Sequence, residues 1–134
     1  MRVAIVCGSR SGTINPRQEM ILKDMLIPMD IVILGQASGI DKRAGDVAEK
    51  LGKQRIEVPA AWHKPWMNVV DVTAGPRRNR LMADLAEMLM EGAPQEDMFE
   101  DRPVPVLIAF PGGSGTSGMV RIAEDRGFKI ERIP

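Results

Sequence analysis

One cysteine and one histidine stand among the 134 residues of this chain. A single cysteine excludes an intrachain disulfide, and the two residues together are too small a set for a zinc site of the Cys/His type, so no metal is expected. Charge of either sign is not in excess, because 18 Lys and Arg balance 18 Asp and Glu. Without a net positive field a chain does not coat nucleic acid or hold to an anionic membrane by charge alone. Nucleic acid is therefore disfavoured as a partner, although a local basic patch stays open. No apolar run approaches the ~20 residues that a membrane-spanning helix needs. The apolar part of the N-terminus, Val3 to Cys7, is too short for a secretion signal. A cytoplasmic location with no membrane partner is the expectation. The phosphate motif G-x-x-x-x-G-K-[ST] is also missing, which excludes a P-loop NTPase, and nothing in the chain requires a cofactor.

What is present is a globular pattern. Apolar residues make up 44% of the chain, enough for a core, and the length fits one domain over residues 1–134. Val3 to Cys7 and Ile31 to Leu34 are continuous apolar runs, the mark of strands buried on both faces. Asn15 and Pro16 supply a cap and a first-turn proline for a helix running to about Ile27. Asp41 can cap a second helix whose apolar face is Ala44, Val47, Ala48 and Leu51, stopped by Gly52. Arg55 to Val58 reads as a third strand, and residues 59–75 as a long connection. Pro76 is expected to open a helix with Leu81, Met82, Leu85, Met88 and Leu89 inside. Residues 91–102 are acidic and read as a loop insertion. A strand from Val104 to Phe110, a helix to about Arg126, a stop at Gly127 and a strand at Phe128 to Ile133 complete the chain. Strands alternating with helices predict an α/β fold, a Rossmann-like three-layer arrangement with a parallel sheet of about five strands. Ligands of such sheets bind at the carboxyl ends of the strands.

Three of those ends carry glycine turns: Gly8-Ser9-Arg10-Ser11-Gly12, Gly35 to Gly39 with Asp41 following, and Pro111-Gly112-Gly113-Ser114-Gly115-Thr116. The last is the strongest signal. Its glycines can adopt positive φ at little cost, so backbone N–H groups can converge on an anion at the positive end of the next helix. Residues 113–118 satisfy G-x-G-x-x-G, but a dinucleotide site opens a βαβ unit with an acidic residue ~20 positions on, and this turn lies in the last unit. Arg77, Arg78 and Arg80 fall in the first turns of the helix that Pro76 opens. Cations there oppose the helix dipole, and a bound anion reverses the penalty. The alternative is that they point to solvent or pair with the acidic loop.

Other residues have two readings. Asp41 is a cap or an acceptor for a ribose hydroxyl. Ser9 and Ser38 are turn formers or phosphate donors. Trp62 and Trp66 stack on a base or pack on the sheet edge, His63 is a general base or incidental, and Cys7 reads as a small core residue.

The ordered set Gly8-Ser9-Arg10, Gly35-x-x-x-Gly39-x-Asp41, Ala74-Gly75-Pro76-x-Arg78-Asn79-Arg80 and Phe110-Pro111-Gly112-Gly113-x-Gly115-Thr116 resembles the YspA-like branch of the SLOG superfamily. That superfamily also holds the Smf DNA-processing proteins and the Lonely Guy phosphoribohydrolases. The resemblance covers nearly the whole chain outside residues 91–102. It implies a Rossmann-like fold and a pocket for a nucleotide or nucleotide-derived ligand. The turn and anion chemistry and the resemblance together give the candidate ligand-binding residues Gly8, Ser9, Arg10, Gly35, Ser38, Gly39, Asp41, Arg78, Asn79, Arg80, Pro111, Gly112, Gly113, Ser114, Gly115 and Thr116. Relatives include enzymes that cleave nucleoside monophosphates, sensors of nucleotide signals, and binders of single-stranded DNA. The hydrolases carry a glutamate three residues after the final threonine of their glycine motif. Here that position is Met119, and a thioether cannot replace a carboxylate in glycosidic cleavage.

The leading expectation is thus a nucleotide-binding protein, in keeping with a sensor. The alternatives are a hydrolase using a displaced acid such as Asp41 and, behind it, a single-stranded DNA binder. Related folds pair through helices, which makes a homodimer compatible with the reading.

Overall fold

The computed structural model describes residues 1–35, 39–60, 63–64, 69–70, 73–91 and 103–134. The expected elements at 92–102, at Ser38, and at Trp62 and Trp66 lie outside the described residues, and at His63 only the backbone is described. Among the described residues, seven strands and four helices follow in the order β1 (Val3–Cys7), α1 (Pro16–Leu26), β2 (Ile31–Gly35), α2 (Ile40–Lys50), β3 (Gln54–Val58), β4 (His63–Lys64), β5 (Val69–Val70), α3 (Ala74–Glu91), β6 (Val106–Ala109), α4 (Ser114–Asp125) and β7 (Lys129–Arg132). The main sheet is five-stranded, ordered β3-β2-β1-β6-β7, and each of its pairings is parallel. β4 and β5 form a separate antiparallel pair. This is the expected α/β three-layer, Rossmann-like fold.

The central strands are apolar throughout because both of their faces are covered. Every residue of β1 and β2 is buried. On one face Val3, Ile5, Ile31, Ile33 and Leu107 pack with Met82, Ala83, Ala86 and Met119 of α3 and α4. On the other, Ala4, Val6, Val32, Leu34 and Ile108 pack with Leu22, Leu26, Ala44 and Val47 of α1 and α2. The chain order reverses between β1 and β6, so the turns after these two strands lie side by side at the carboxyl edge.

Local rules set the helix ends. Asn15 caps α1 in a full capping box: Gln18 N donates to Asn15 Oδ1 at 2.8 Å, and Asn15 N donates to Gln18 Oε1 at 3.0 Å. Gly52 and Gly127 end α2 and α4 with φ of +72° and +75°, as read from sequence.

Two expectations are corrected. α3 begins at Ala74, two residues before Pro76. Its inner face is Asn79, Met82, Ala83, Ala86 and Met90, with Leu85 and Leu89 at the flank, whereas Leu81 and Met88 are 54% and 67% exposed. Three alanines are buried along the helix because small side chains let it lie close over β1 and β2. The periodic leucines and methionines suggested a face rotated away from it. β6 is also shorter than expected, and Val104 is exposed.

Candidate functional site

The turns after β1 and β2, the start of α3 and the start of α4 enclose one cavity of about 610 Å³ at the carboxyl edge of the sheet. Of the expected site residues, Gly8, Ser9, Arg10, Gly35, Asp41, Arg78, Asn79, Gly113, Ser114, Gly115 and Thr116 line it. Gly39, Arg80, Pro111 and Gly112 are not among the lining residues. Arg80 is exposed on the outer side of α3, because residues two apart on a helix do not share a face. Ser38 lies outside the described residues.

The glycines do different work from that expected. None of Gly112, Gly113 and Gly115 has positive φ; Gly113 is the extended N-cap of α4 and Gly115 is inside its first turn. Gly112 is required by close approach: an added Cβ would lie 3.0 Å from Ser9 N and closer still to the Thr116 hydroxyl. At Gly113 and Gly115 an added Cβ would meet nothing within 4 Å. The α4 cap makes no side-chain hydrogen bond, and the first helical bond is Ser117 N to Gly113 O at 3.1 Å. The N–H groups of Ser114, Gly115 and Thr116 therefore have no partner within the helix, beside open space and at the positive end of the dipole.

The β1 and β2 turns are locked together instead. Ile40 N donates to Ser9 O at 3.3 Å, and an added Cβ at Gly8 would strike the Ile40 side chain at 2.6–2.8 Å. Gly39 has φ of +78° and packs on the Arg10 carbonyl, so it serves both a backbone conformation and a close contact. That turn starts α2 at Ile40, with Gly39 as N-cap and no side-chain cap. Asp41 is thus not the cap; it is the second helical residue, 8% exposed, and it faces the cavity.

Arg78 lies over Gly35. An added Cβ there would sit 2.9 Å from both Arg78 Cζ and Asp41 Oδ2, so the missing side chain leaves that space to the guanidinium and the carboxylate. Burial pulls the Arg78 pKa down, the Asp41 charge pushes it up, and Arg10 pulls it down again. The Arg10 charge thus disfavours the Arg78 charge and the Asp41 carboxylate favours it, and an added anion would favour both guanidinium groups. Burial, reinforced by Asp41, pushes the Cys7 thiol up to about 12, which keeps it protonated at neutral pH.

Sequence reasoning missed part of the wall. Cys7 is buried, as expected of a core residue, but also borders the cavity, and Gly75, Pro76, Met82, Gly118 and Ile122 complete the side between α3 and α4. The helical phase of Gly75 and Met82, three and four residues from Arg78, was the available signal. Met119 is fully buried in the core under α4 and does not line the cavity. Asp41 is the one carboxylate among the described lining residues.

Several exposed cations stand at helix starts although the chain is neutral. Helix first turns lie at the carboxyl edge of a parallel sheet, and Arg17, Lys42, Arg43, Arg77 and Arg80 occupy early positions of α1, α2 and α3 and are exposed. Glu19 engages Arg43 at 2.7 Å. Arg126, at the end of α4, holds Asp84 at 2.6 Å and Glu87 at 3.1 Å. No helix among the described residues is long and apolar enough to cross a membrane.

No protein-family model matches this chain, and no curated protein matches it. The X-ray structure of DNA processing protein A (DprA) from Streptococcus pneumoniae is similar over 98% of this chain and 58% of that one, with 19% identity and a TM-score of 0.49. The chain spans well under two thirds of the length of that structure. A likeness this distant carries no inference about ligands.

Proposed function

We propose that this chain binds a nucleotide or nucleotide-derived small molecule, phosphate first, in the cavity at the carboxyl edge of the sheet. The observation that carries the reading is the meeting of Arg10, Arg78 and the open first turn of α4 in one cavity. Guanidinium groups and unpartnered N–H groups at a helix start are both anion binders, and here they converge from distant parts of the chain. The four motifs that resemble SLOG proteins of the YspA-like branch contribute residues to this one place, which supports that kinship. Calorimetric titration with nucleoside monophosphates and with the matching nucleosides tests the proposal. Phosphate-bearing ligands are expected to bind and nucleosides to bind at least about tenfold more weakly; equal affinity would overturn it. Mass spectrometry of small molecules released on denaturation identifies the ligand class.

Two further readings have an observation each. A hydrolase of this site has Asp41 as its acid, because position 119 lies in the core. Release of free base from a nucleoside monophosphate, lost in Asp41→Asn, is the result that supports it. The exposed cations at the starts of α1, α2 and α3 are the feature that a single-stranded nucleic acid would use. That reading requires binding that falls steeply with salt and weakens in Arg17→Ala and Lys42→Ala.

A further inference from the structure

Asn79 is 5% exposed, and both ends of its amide are engaged. Its Oδ1 accepts from Arg78 Nε at 3.2 Å, and its Nδ2 donates to the Gly115 carbonyl at 3.1 Å. A guanidinium N–H can only donate and a carbonyl can only accept, so one amide orientation satisfies both. An arginine offers an oxyanion two forks, either Nε with one terminal nitrogen or the two terminal nitrogens. With Nε engaged by Asn79, only the terminal fork remains for the cavity. Gly115 belongs to the first turn of α4 on the facing wall, so the same amide joins the arginine arm to the anion-binding turn.

We infer that Asn79 is a positioning residue that fixes Arg78 so that its two terminal nitrogens and the first turn of α4 grip a single phosphoryl group together. The inference rests on the phosphate-binding reading above. It also reassigns Asn79, which the motif resemblance counts as a ligand contact, to the protein's own scaffold.

The test uses the full chain. Nitrogen-15 NMR follows the Arg78 Nε–H signal, assigned by its loss in Arg78→Lys, and calorimetry with adenosine monophosphate and inorganic phosphate reads affinity. In Asn79→Ala the Nε–H is expected to exchange with water faster by about tenfold, and the affinity for adenosine monophosphate to fall roughly tenfold. Lysine has no Nε. In the Arg78→Lys background the same Asn79→Ala change is expected to cost less than about threefold further. An equal loss in both backgrounds makes Asn79 structural only and overturns the proposal. So does an Nε–H that exchanges as fast in the parent protein as in Asn79→Ala. Asn79→Asp keeps the acceptor for Nε and loses the donor to Gly115. Protected Nε–H with reduced affinity supports the tie to the turn, and parent affinity overturns that half. If the parent protein binds neither probe while Asn79 protects Nε–H, the phosphate reading fails and the positioning of Arg78 stands.

Discussion

The turns after β2 and β6 both carry glycines, follow a buried strand and precede a helix, yet Gly35 and Gly39 of the first and Gly113 and Gly115 of the second serve opposite purposes, while Gly112 of the second is as tightly packed as the first pair. In the first, Gly35 and Gly39 are pressed against Arg78, Asp41 and the Arg10 carbonyl, and Gly39 needs positive φ. In the second, Gly113 and Gly115 have ordinary φ and would meet nothing if they carried a Cβ. The first turn spends its glycines on the fold. The second keeps an empty approach to three helix-start N–H groups, and space that the fold does not need is space a ligand can fill.

The largest effect that would break this contrast is at Gly39. Gly39→Val places a β-branched residue at φ of +78° against backbone, and a loss of at least about 3 kcal/mol in urea unfolding is expected. A loss under 1 kcal/mol would put both turns in one class. Next is Arg78→Met, which keeps length and removes charge. Nucleotide affinity is expected to fall about 100-fold by calorimetry while unfolding free energy stays within about 1 kcal/mol. The balance arises because burial disfavours the charge that Asp41 favours. A clear loss of stability with unchanged affinity would move Arg78 to the structural side.

Cys7 lies where the two regions join, its carbonyl accepting from Phe110 N at 2.9 Å. Its thiol titrates near 9 when unfolded and at about 12 when folded. The folded state therefore holds its proton more tightly, and this contribution is intact below pH 9 and is lost between pH 9 and 12. Cys7→Ala should flatten the alkaline fall of stability by up to about 1.4 kcal/mol per pH unit, read from denaturation at stepped pH. The smallest effect is Gly115→Ala. Alanine inside the first turn of α4 is expected to raise stability by up to about 1 kcal/mol while weakening nucleotide binding, the reverse of Gly39→Val. A destabilised Gly115→Ala protein would show that this glycine too serves the fold.

Much of this contrast was legible before any coordinates. Continuous apolar runs marked β1 and β2, Asn15 with Pro16 marked the start of α1, and Gly52 and Gly127 marked helix ends, because each signal is local. The glycine turns were visible as well, and eleven of the expected site residues line one cavity. The purpose of each glycine was not visible, because an added Cβ at Gly8 meets Ile40 and one at Gly35 meets Arg78, residues brought there by other elements. The inner face of α3 was misread for a related reason. Hydrophobic spacing marked Leu81 and Met88, but packing against the sheet favoured the alanine face.

The sequence by itself determined the succession of strands, helices and turns and the chemical types available at each turn. These follow from backbone preference and from apolar periodicity over a few residues. Only the tertiary structure decided that Arg78 lies on Gly35, that Asn79 ties it to Gly115, and that the turn after β6 is the open one. The physical reason is strand order. Placing β1 between β2 and β6 brings residues near 8, 35, 78 and 115 to one edge, and no local pattern records distances between segments so far apart along the chain.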